Sequence, residues 1–248
     1  MKIEVSRRSL LVVLASILFF APTSFAQVSS DAAQTVAVIG TGSVGSALGP
    51  RFAQLGYKVI YGSRQPHRAD VKELVARTGP RAQAMSTLEA GSKADLIVLA
   101  VPWLAAESVV KGMGDLDGKI IIDVINPLRR ADDGLLEMAV DTSAAEHIQA
   151  WAPEARVVKA FSTMGSKIMA DPSALGGPVS VALASDDDDA LQEVRQIAER
   201  MGYPTVDVGP LRHARHLEGM IVLMVVPAME ERGQDGWEYY FRPRSDAK

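Results

Sequence analysis

The chain has 248 residues, no cysteine and a formal charge of −4, with 48% apolar and 23% charged residues. Its length allows one large α/β domain with at most a small appendage, and its apolar content allows a sizeable core. The absence of cysteine excludes disulfides, thiolate nucleophiles and iron–sulfur clusters. Because no basic stripe with interleaved aromatic residues is visible, we expect no nucleic-acid partner.

The N-terminal segment, residues 1–26, predicts a signal peptide. Two arginines at positions 7 and 8 precede an apolar run at 10–20, which is too short to cross a membrane as a helix. Small residues then allow cleavage between Ala26 and Gln27, although an uncleaved anchor is the alternative. The paired arginines fit a twin-arginine signal or an ordinary secretory one. We therefore expect an exported, periplasmic protein with no stable membrane span after signal removal.

Short apolar runs alternate with helical segments along the rest of the chain. Strands are predicted at 35–39, 58–61, 82–85, 96–101, 120–124, 157–161, 179–184 and 205–208. Helices are predicted at 44–55, 70–77, 86–90, 105–112, 143–151 and 189–201. Because several strands are continuously apolar, they predict a doubly wound parallel sheet in an α/β domain over 33–209.

A small C-terminal helical portion is predicted over 210–248. Its segment 220–226 is apolar on every side, so we expect it to be buried against the main domain or a second subunit.

A glycine-rich turn joins the first predicted strand to the first predicted helix. In such a turn the first glycine permits the tight bend, the second allows close approach of a pyrophosphate, and the third allows close packing of helix on strand. The helix N-terminus then faces the phosphates. The context of strand, turn and helix predicts a dinucleotide site in an NAD(P)-binding Rossmann fold. The predicted contacts are Gly40, Thr41, Gly42, Ser43, Val44 and Gly45.

The end of the second strand predicts NADP rather than NAD. Enzymes that use NAD usually place an acidic residue there, whereas this chain has Ser63 and Arg64 and no carboxylate before Asp70. A hydroxyl and a guanidinium can bind the 2′-phosphate of NADP, and Arg68 is a second candidate cation. Solvated surface arginines are the alternative interpretation.

Further polar or rigid turns follow the later strands. Val101 and Pro102 end strand four, and Asn126 follows strand five, so we expect them near the nicotinamide. Ser162 and Thr163 follow strand six and are candidate substrate-binding residues. Ordinary turns are the alternative for each one taken singly.

At these residues the sequence resembles the NADP oxidoreductases that depend on coenzyme F420, a deazaflavin. The resemblance implies NADP(H) as cofactor, coenzyme F420 or another small-molecule acceptor as co-substrate, and a homodimer that uses the C-terminal helices. The matching stretches are the glycine turn, Gly62-Ser63-Arg64, Pro102-Trp103, Asn126-Pro127-Leu128, residues 157–161 and 186–188, and Gly209-Pro210-Leu211 with Arg215 and Glu218.

No catalytic acid or base is evident, which suits hydride transfer because the cofactor supplies the chemistry. His213 and His216 are candidate acceptor contacts or proton donors, with a polar helix face as the alternative. We expect no metal site, because no third ligand stands at helical spacing from these two histidines. The main hypothesis is an NADPH-dependent reductase, and the alternative is a non-catalytic NADP-binding sensor or scaffold.

Overall fold

The computed structural model describes residues 34–174, 176–229 and 238–242, in which strands and helices alternate. The predicted signal peptide lies outside these residues. The elements in chain order are β1 (Thr35–Ile39), α1 (Ser43–Gln54), β2 (Lys58–Gly62), α2 (Ala69–Thr78), β3 (Ala82–Met85), α3 (Thr87–Ser92), β4 (Leu96–Leu99), α4 (Trp103–Lys111), β5 (Ile120–Asp123), β6 (Leu128–Arg130), β7 (Leu136–Met138), α5 (Ala144–Trp151), β8 (Arg156–Lys159), α6 (Ser166–Ala170), β9 (Val181–Ser185), α7 (Asp188–Arg200), β10 (Thr205–Asp207), a 3₁₀ turn (Leu211–His213) and α8 (Ala214–Met229).

The main sheet has the strand order β10-β9-β8-β5-β4-β1-β2-β3. From β1 the chain builds outward through β2 and β3 on one side, then returns to place β4, β5 and β8 on the other. The strand order therefore reverses between β1 and β4. In open α/β sheets, ligands bind outside the carboxyl ends of the strands at this switch point. This edge of the sheet is called the carboxyl edge below.

The centre of the sheet is covered on both faces, as the continuous apolar strands predict. Because successive side chains of a strand point to opposite faces, Val36 and Val38 pack with residues of α1 and α7. Ala37 and Ile39 pack with residues of α4 and α5. Each Val or Ile buried in this way contributes about 1.5–3 kcal/mol to folding. These two clusters hold β1 rigidly where it enters the glycine turn.

The predicted doubly wound parallel sheet is confirmed, with one difference at its edge. β8 and β9 pair antiparallel, and β10 pairs parallel with β9, so these last two strands run opposite to the other six. A parallel connection needs a crossover that returns the chain to the starting edge, usually through a long helix. The connection from β8 contains only the five-residue α6, so β9 starts from the carboxyl edge.

A two-stranded hairpin, β6 and β7, was missed from the sequence. It pairs Leu128 with Met138 and Arg130 with Leu136, and it turns through Asp132, Asp133 and Gly134, whose φ is 86°. Asp-Gly is a turn signal, but strands of three residues carry too little alternation to be recognised. The hairpin extends directly from the Asn126 turn at the carboxyl edge.

The C-terminal helix is longer than the apolar segment that predicted it. Leu217 and Ile221 of α8 are buried in this chain, whereas Leu223 is 62% exposed. The described residues therefore cover only one face of the apolar segment, whereas the sequence predicts that it is buried against the main domain or a second subunit. No helix within the described ranges is both long and apolar enough to cross a bilayer.

The N-cap of α7 provides a direct test of the fold. The Oδ1 atom of Asp187 accepts a hydrogen bond of 2.7 Å from the backbone N–H of Ala190. We expect Asp187→Ala to lower the free energy of unfolding by about 1 kcal/mol, because the cap is lost. Chemical denaturation measures this change. Asp189→Ala is the matched control: this exposed residue of the same first turn should contribute only a few tenths of a kcal/mol. Equal losses in both variants would contradict the assignment of the cap.

Candidate functional site

The turn after β1 is possible only because Gly40 has no side chain. Its φ is 109°, and a Cβ atom built there would lie 2.2 Å from the carbonyl oxygen of Ala100. The N–H of Gly40 also donates a 3.0 Å hydrogen bond to the carbonyl of Gly62. The turn is therefore wedged between the ends of β2 and β4, at the switch point.

The other two glycines of the turn have different surroundings. A Cβ on Gly45 would lie 2.0 Å from the carbonyl oxygen of Gly40, so this glycine lets α1 pack on the turn. A Cβ on Gly42 would meet no protein atom within 4 Å. Gly42 is the N-cap of α1 and provides no side-chain cap, so the first N–H groups of the helix face an open space. That is the arrangement an anionic group requires.

The remaining residues of the turn, Thr41, Ser43 and Val44, surround this open space. Thr41 and Val44 are half-buried and Ser43 is exposed. All three belong to the first turn of the helix or precede it, where backbone N–H groups lack intrahelical partners. The structure thus brings the whole predicted phosphate-binding segment to the carboxyl edge.

The two candidate cations after β2 differ in their contacts. Arg64 is exposed, and within the described residues its guanidinium makes no hydrogen bond or ion pair. Arg68 instead pairs with Asp70 through contacts of 2.5 and 2.8 Å, and hydrogen bonding to Arg68 lowers the pKa of Asp70. Arg64 is therefore the cation that is ready to accept a phosphate. Recruiting Arg68 means giving up an exposed ion pair, which costs little.

Ser63 lies beside Arg64 at the end of β2. Its backbone N–H donates to the carbonyl of Met85 at 3.0 Å, which fixes the residue at the sheet edge. Its Oγ atom accepts a 3.2 Å hydrogen bond from the N–H of Gln65. The hydroxyl proton remains free to be donated to an anion.

Val101 lies against the glycine turn. Its Cγ1 atom is 3.3 Å from the position a Cβ would take on Gly40, and the N–H of Ala100 donates to the carbonyl of Ile39 at 2.8 Å. Pro102 follows as the exposed N-cap of α4. Both residues therefore lie on the side of the crevice formed by β4, and their contact with the nicotinamide stays a prediction.

The Asn126 and Ser162 turns meet across the ends of β5 and β8. The side-chain amide of Asn126 donates a 2.9 Å hydrogen bond to the carbonyl of Ser162. The Oδ1 atom of Asn126 and the Oγ atom of Ser162 are buried and have no hydrogen-bond partner among the described residues. Buried polar atoms without a partner are rare in native proteins and suggest that a ligand supplies one. Thr163 is buried beside them.

The backbone immediately before Ser162 adopts a conformation that is uncommon for its residue type. Phe161 has a φ of 58° and is the one residue other than glycine with a positive φ in the described part of the chain. Its ring is buried against Tyr203, with centroids 5.7 Å apart, and this packing holds the conformation in place. Such an outlier in an ordered turn suggests that the direction of Ser162 matters.

A buried ion cluster lies beneath these turns. It consists of Asp123 at the end of β5, Lys159 at the end of β8 and Glu218 on α8, and is called the buried triad below. The Nζ atom of Lys159 is 3.0 Å from Asp123 Oδ2 and 2.7 Å from Glu218 Oε1, and all three side chains are fully buried. Lys159 also donates to the carbonyl of Ile125. The triad therefore holds the backbone that precedes Asn126.

The carboxylates of the triad are held by backbone groups as well. Asp123 Oδ1 accepts from the N–H of Ile125 at 2.8 Å, and Glu218 Oε2 accepts from the N–H of Ala144 at 2.9 Å. Burial raises the pKa of Asp123, and burial raises the pKa of Glu218 to about 7, while Lys159 opposes both shifts. Lys159 and Glu218 both belong to stretches that match the family, but their contact is not predicted from the sequence, because the members of the cluster are separated by 36 and 59 residues.

The two histidines considered from the sequence lie outside the crevice contacts described so far. Their rings are 6.1 Å apart, and His213 Nδ1 contacts the carbonyl of Val208. The neighbouring Arg215 pairs with Glu146 at 2.5 Å. In the ranges that the structure describes, no group of three His, Cys, Asp or Glu side chains is arranged to hold a metal ion.

A surface cavity of about 300 Å³ lies away from the candidate site. Its lining includes Asp117, which precedes β5, and Glu154, which precedes β8, so it opens at the amino edge of the sheet. None of the candidate cofactor or substrate residues lines it. The switch-point crevice remains the candidate functional site.

Comparison with known proteins supports the same assignment. The family model described as "NADP oxidoreductase coenzyme F420-dependent" matches residues 35–127. The F420-dependent NADP reductase of Methanothermobacter marburgensis is 30% identical over 77% of this chain and 90% of its own length. The corresponding protein of Methanothermobacter thermautotrophicus is 31% identical over 77% of this chain and 87% of its own length.

Two further similarities extend the comparison. The metalloreductase STEAP3 of Rattus norvegicus is 30% identical over 83% of this chain, which corresponds to only 39% of STEAP3. A solved structure from Arthrobacter sp. FB24, described as a candidate F420-dependent NADP-reductase, has a TM-score of 0.76 at 29% identity and covers 84% of this chain and 99% of that one. The family resemblance stated from the sequence is thereby confirmed. The chain belongs to the family of coenzyme F420-dependent NADP oxidoreductases and is an NADP-dependent reductase.

Proposed function

We propose that this protein transfers a hydride between NADPH and a deazaflavin of the coenzyme F420 type, or a similar small acceptor, in the switch-point crevice. The observation that carries the proposal is the unpaired Arg64 beside Ser63, together with the open space at Gly42. The names of the two Methanothermobacter relatives support the deazaflavin acceptor.

Each part of the crevice has a role in this proposal. The backbone of Gly40, Thr41, Gly42, Ser43, Val44 and Gly45 holds the pyrophosphate at the N-terminus of α1. Ser63 and Arg64 bind the 2′-phosphate, with Arg68 as a second cation once it releases Asp70. Val101 and Pro102 flank the nicotinamide ring.

The unpaired atoms of the Asn126 and Ser162 turns orient the reacting groups. Asn126 Oδ1 would accept a hydrogen bond from the bound cofactor, and the hydroxyls of Ser162 and Thr163 would contact the acceptor. NADPH supplies the hydride when bound. The residues of this chain align the donor and acceptor carbons and exclude water, and such alignment alone can lower a barrier by about 7–11 kcal/mol.

Two further proposals concern the location and the assembly of the protein. We propose that the protein is exported to the periplasm after cleavage near Ala26, and that it forms a homodimer through α8, whose Leu223 is 62% exposed. Mass spectrometry of the exported protein tests the cleavage, and light scattering tests the dimer. An intact N-terminus or a monomeric mass would contradict the respective proposal.

The proposed function is tested by turnover of the purified exported protein. We expect NADPH oxidation with an oxidised deazaflavin, and slower or no oxidation with flavins, imines or ferric chelates under the same conditions. Turnover with another acceptor alone would keep the reductase and reject the deazaflavin. Tight NADPH binding with no turnover on any of these acceptors would instead favour a nucleotide-binding sensor or scaffold.

Loss of Arg64 should affect NADPH and leave NADH largely unaffected. A hydrogen bond to a charged group contributes about 1.5–3 kcal/mol, so Arg64→Ala should weaken NADPH binding by about 10-fold to 150-fold. Fluorescence titration measures both dissociation constants. Lys72→Ala, which removes an exposed positive charge from α2, is the matched control and should leave both constants unchanged. Equal affinity of the wild-type protein for NADPH and NADH would refute the assignment of Ser63 and Arg64.

Gly42 allows a steric test of the phosphate position. An added methyl group would touch no protein atom, so Gly42→Ala should keep the wild-type thermal stability. We expect NADPH binding to weaken by about 10-fold or more, because the methyl group enters the space that the pyrophosphate needs. Gly177→Ala is the control, since its surroundings are also open and it lies outside the crevice. Wild-type affinity in Gly42→Ala would mean that the pyrophosphate does not approach this turn.

A further inference from the structure

A C-terminal segment, residues 238–242, is attached to the main domain near the candidate acceptor site. The N–H of Ser180 donates to the carbonyl of Tyr239 at 3.3 Å, and the N–H of Phe241 donates to Ser180 Oγ at 3.2 Å. The ring of Phe241 packs on a cluster that contains Ala182 and Leu217. These contacts fix the backbone next to Glu238.

The side chain of Glu238 reaches the turn that follows β8. Its Oε1 atom accepts a 3.0 Å hydrogen bond from the N–H of Gly165, three residues after Ser162. Its Oε2 atom is buried and has no hydrogen-bond partner among the residues the structure describes. One carboxyl oxygen is therefore held by the acceptor turn, and the other is unpaired.

The two oxygens of Glu238 indicate where a proton resides. Oε1 accepts from Gly165, and the carbonyl oxygen of a protonated carboxyl group is the stronger acceptor, so the protonated form places its proton on Oε2. Burial raises the pKa of Glu238, although the bond from Gly165 opposes the shift. A buried, unpaired and ionised oxygen would be costly, which also favours the protonated form.

We infer that Glu238 is the proton donor to the acceptor of the hydride. This inference rests on the proposed function, and it supplies the general acid that the sequence did not reveal. It is carried by the unpaired Oε2 atom beside the turn that contains Ser162 and Thr163, where the acceptor is placed.

An acceptor with a conjugated carbon–nitrogen double bond can take up both the hydride and the proton. Hydride transfer breaks a C–H bond of the dihydronicotinamide and forms a C–H bond on the acceptor carbon, which moves two electrons. The π electrons of the acceptor shift to its nitrogen, which takes the proton from Glu238 Oε2. The products are NADP⁺, the reduced acceptor and the Glu238 carboxylate, which solvent reprotonates before the next turnover.

The protonation state is tested without any acceptor. Infrared spectra of the wild-type protein and of Glu238→Gln at neutral pH should differ by the C=O stretching band of one protonated carboxyl group. Absence of this band from the difference between the two spectra would overturn the inference, whatever acceptor the protein uses. If instead the band is present but no acceptor is reduced, the proposed function fails by itself.

Steady-state kinetics test whether Glu238 acts as the proton donor. Glu238→Gln keeps the size of the side chain and an oxygen for Gly165, so we expect an unchanged dissociation constant for NADPH. Its kcat should fall by about 100-fold or more, since general acids typically contribute 10²–10⁴-fold. The KM for the acceptor should change little, whereas a purely structural role would raise KM. Wild-type kcat in Glu238→Gln would overturn the inference.

Two more variants make the result decisive. Tyr240→Phe changes an exposed residue of the same segment and should leave kcat and KM at wild-type values. Glu238→Asp keeps a carboxyl group that is one methylene shorter, and its kcat should lie between those of the wild type and Glu238→Gln. If Glu238→Gln does not fold, equal kcat values for Glu238→Asp and the wild type would still count against proton donation from this position.

Discussion

The side of the crevice formed by the Asn126 and Ser162 turns depends on one interaction, the buried triad of Asp123, Lys159 and Glu218. Lys159 stands between Asp123 and Glu218 and connects two strands of the sheet to α8, while Glu218 also holds the first N–H group of α5. Breaking a buried ion pair by removing one partner typically costs about 3–5 kcal/mol, because an uncompensated charge is left behind. Lys159 therefore holds β5 and β8 to α8, and Glu218 connects this cluster to the start of α5.

The triad also holds the backbone of the crevice in place. Lys159 and Asp123 each bind a backbone group of Ile125, and Asn126 follows immediately with its amide on the carbonyl of Ser162. Hydride transfer requires such precision, since the protein must keep two carbon atoms of bound partners in line.

The candidate nucleotide contacts can be identified from short stretches of sequence, whereas the triad and Glu238 cannot. The glycine turn and the Ser63–Arg64 pair are each a short contiguous stretch, and their chemistry can be stated from residue type and spacing. The triad and Glu238 depend on contacts between residues up to 74 positions apart in the sequence, such as Ala144 and Glu218, which no periodicity records. The positive φ of Phe161 is likewise imposed by packing against Tyr203 rather than by its own preference.

The match of the family model covers only the first half of the chain, although the relatives are similar over 77–83% of it. The family model ends at residue 127, directly after Asn126, and so includes the glycine turn and the Ser63–Arg64 pair. The hairpin, Ser162, Glu218 and Glu238 all follow that point. In the proposed function the nucleotide is bound mainly at the switch point, whereas the acceptor meets Ser162, Thr163 and Glu238, which all lie after residue 127. On that proposal, substitutions after residue 127 change the contacts with the acceptor without disturbing the glycine turn.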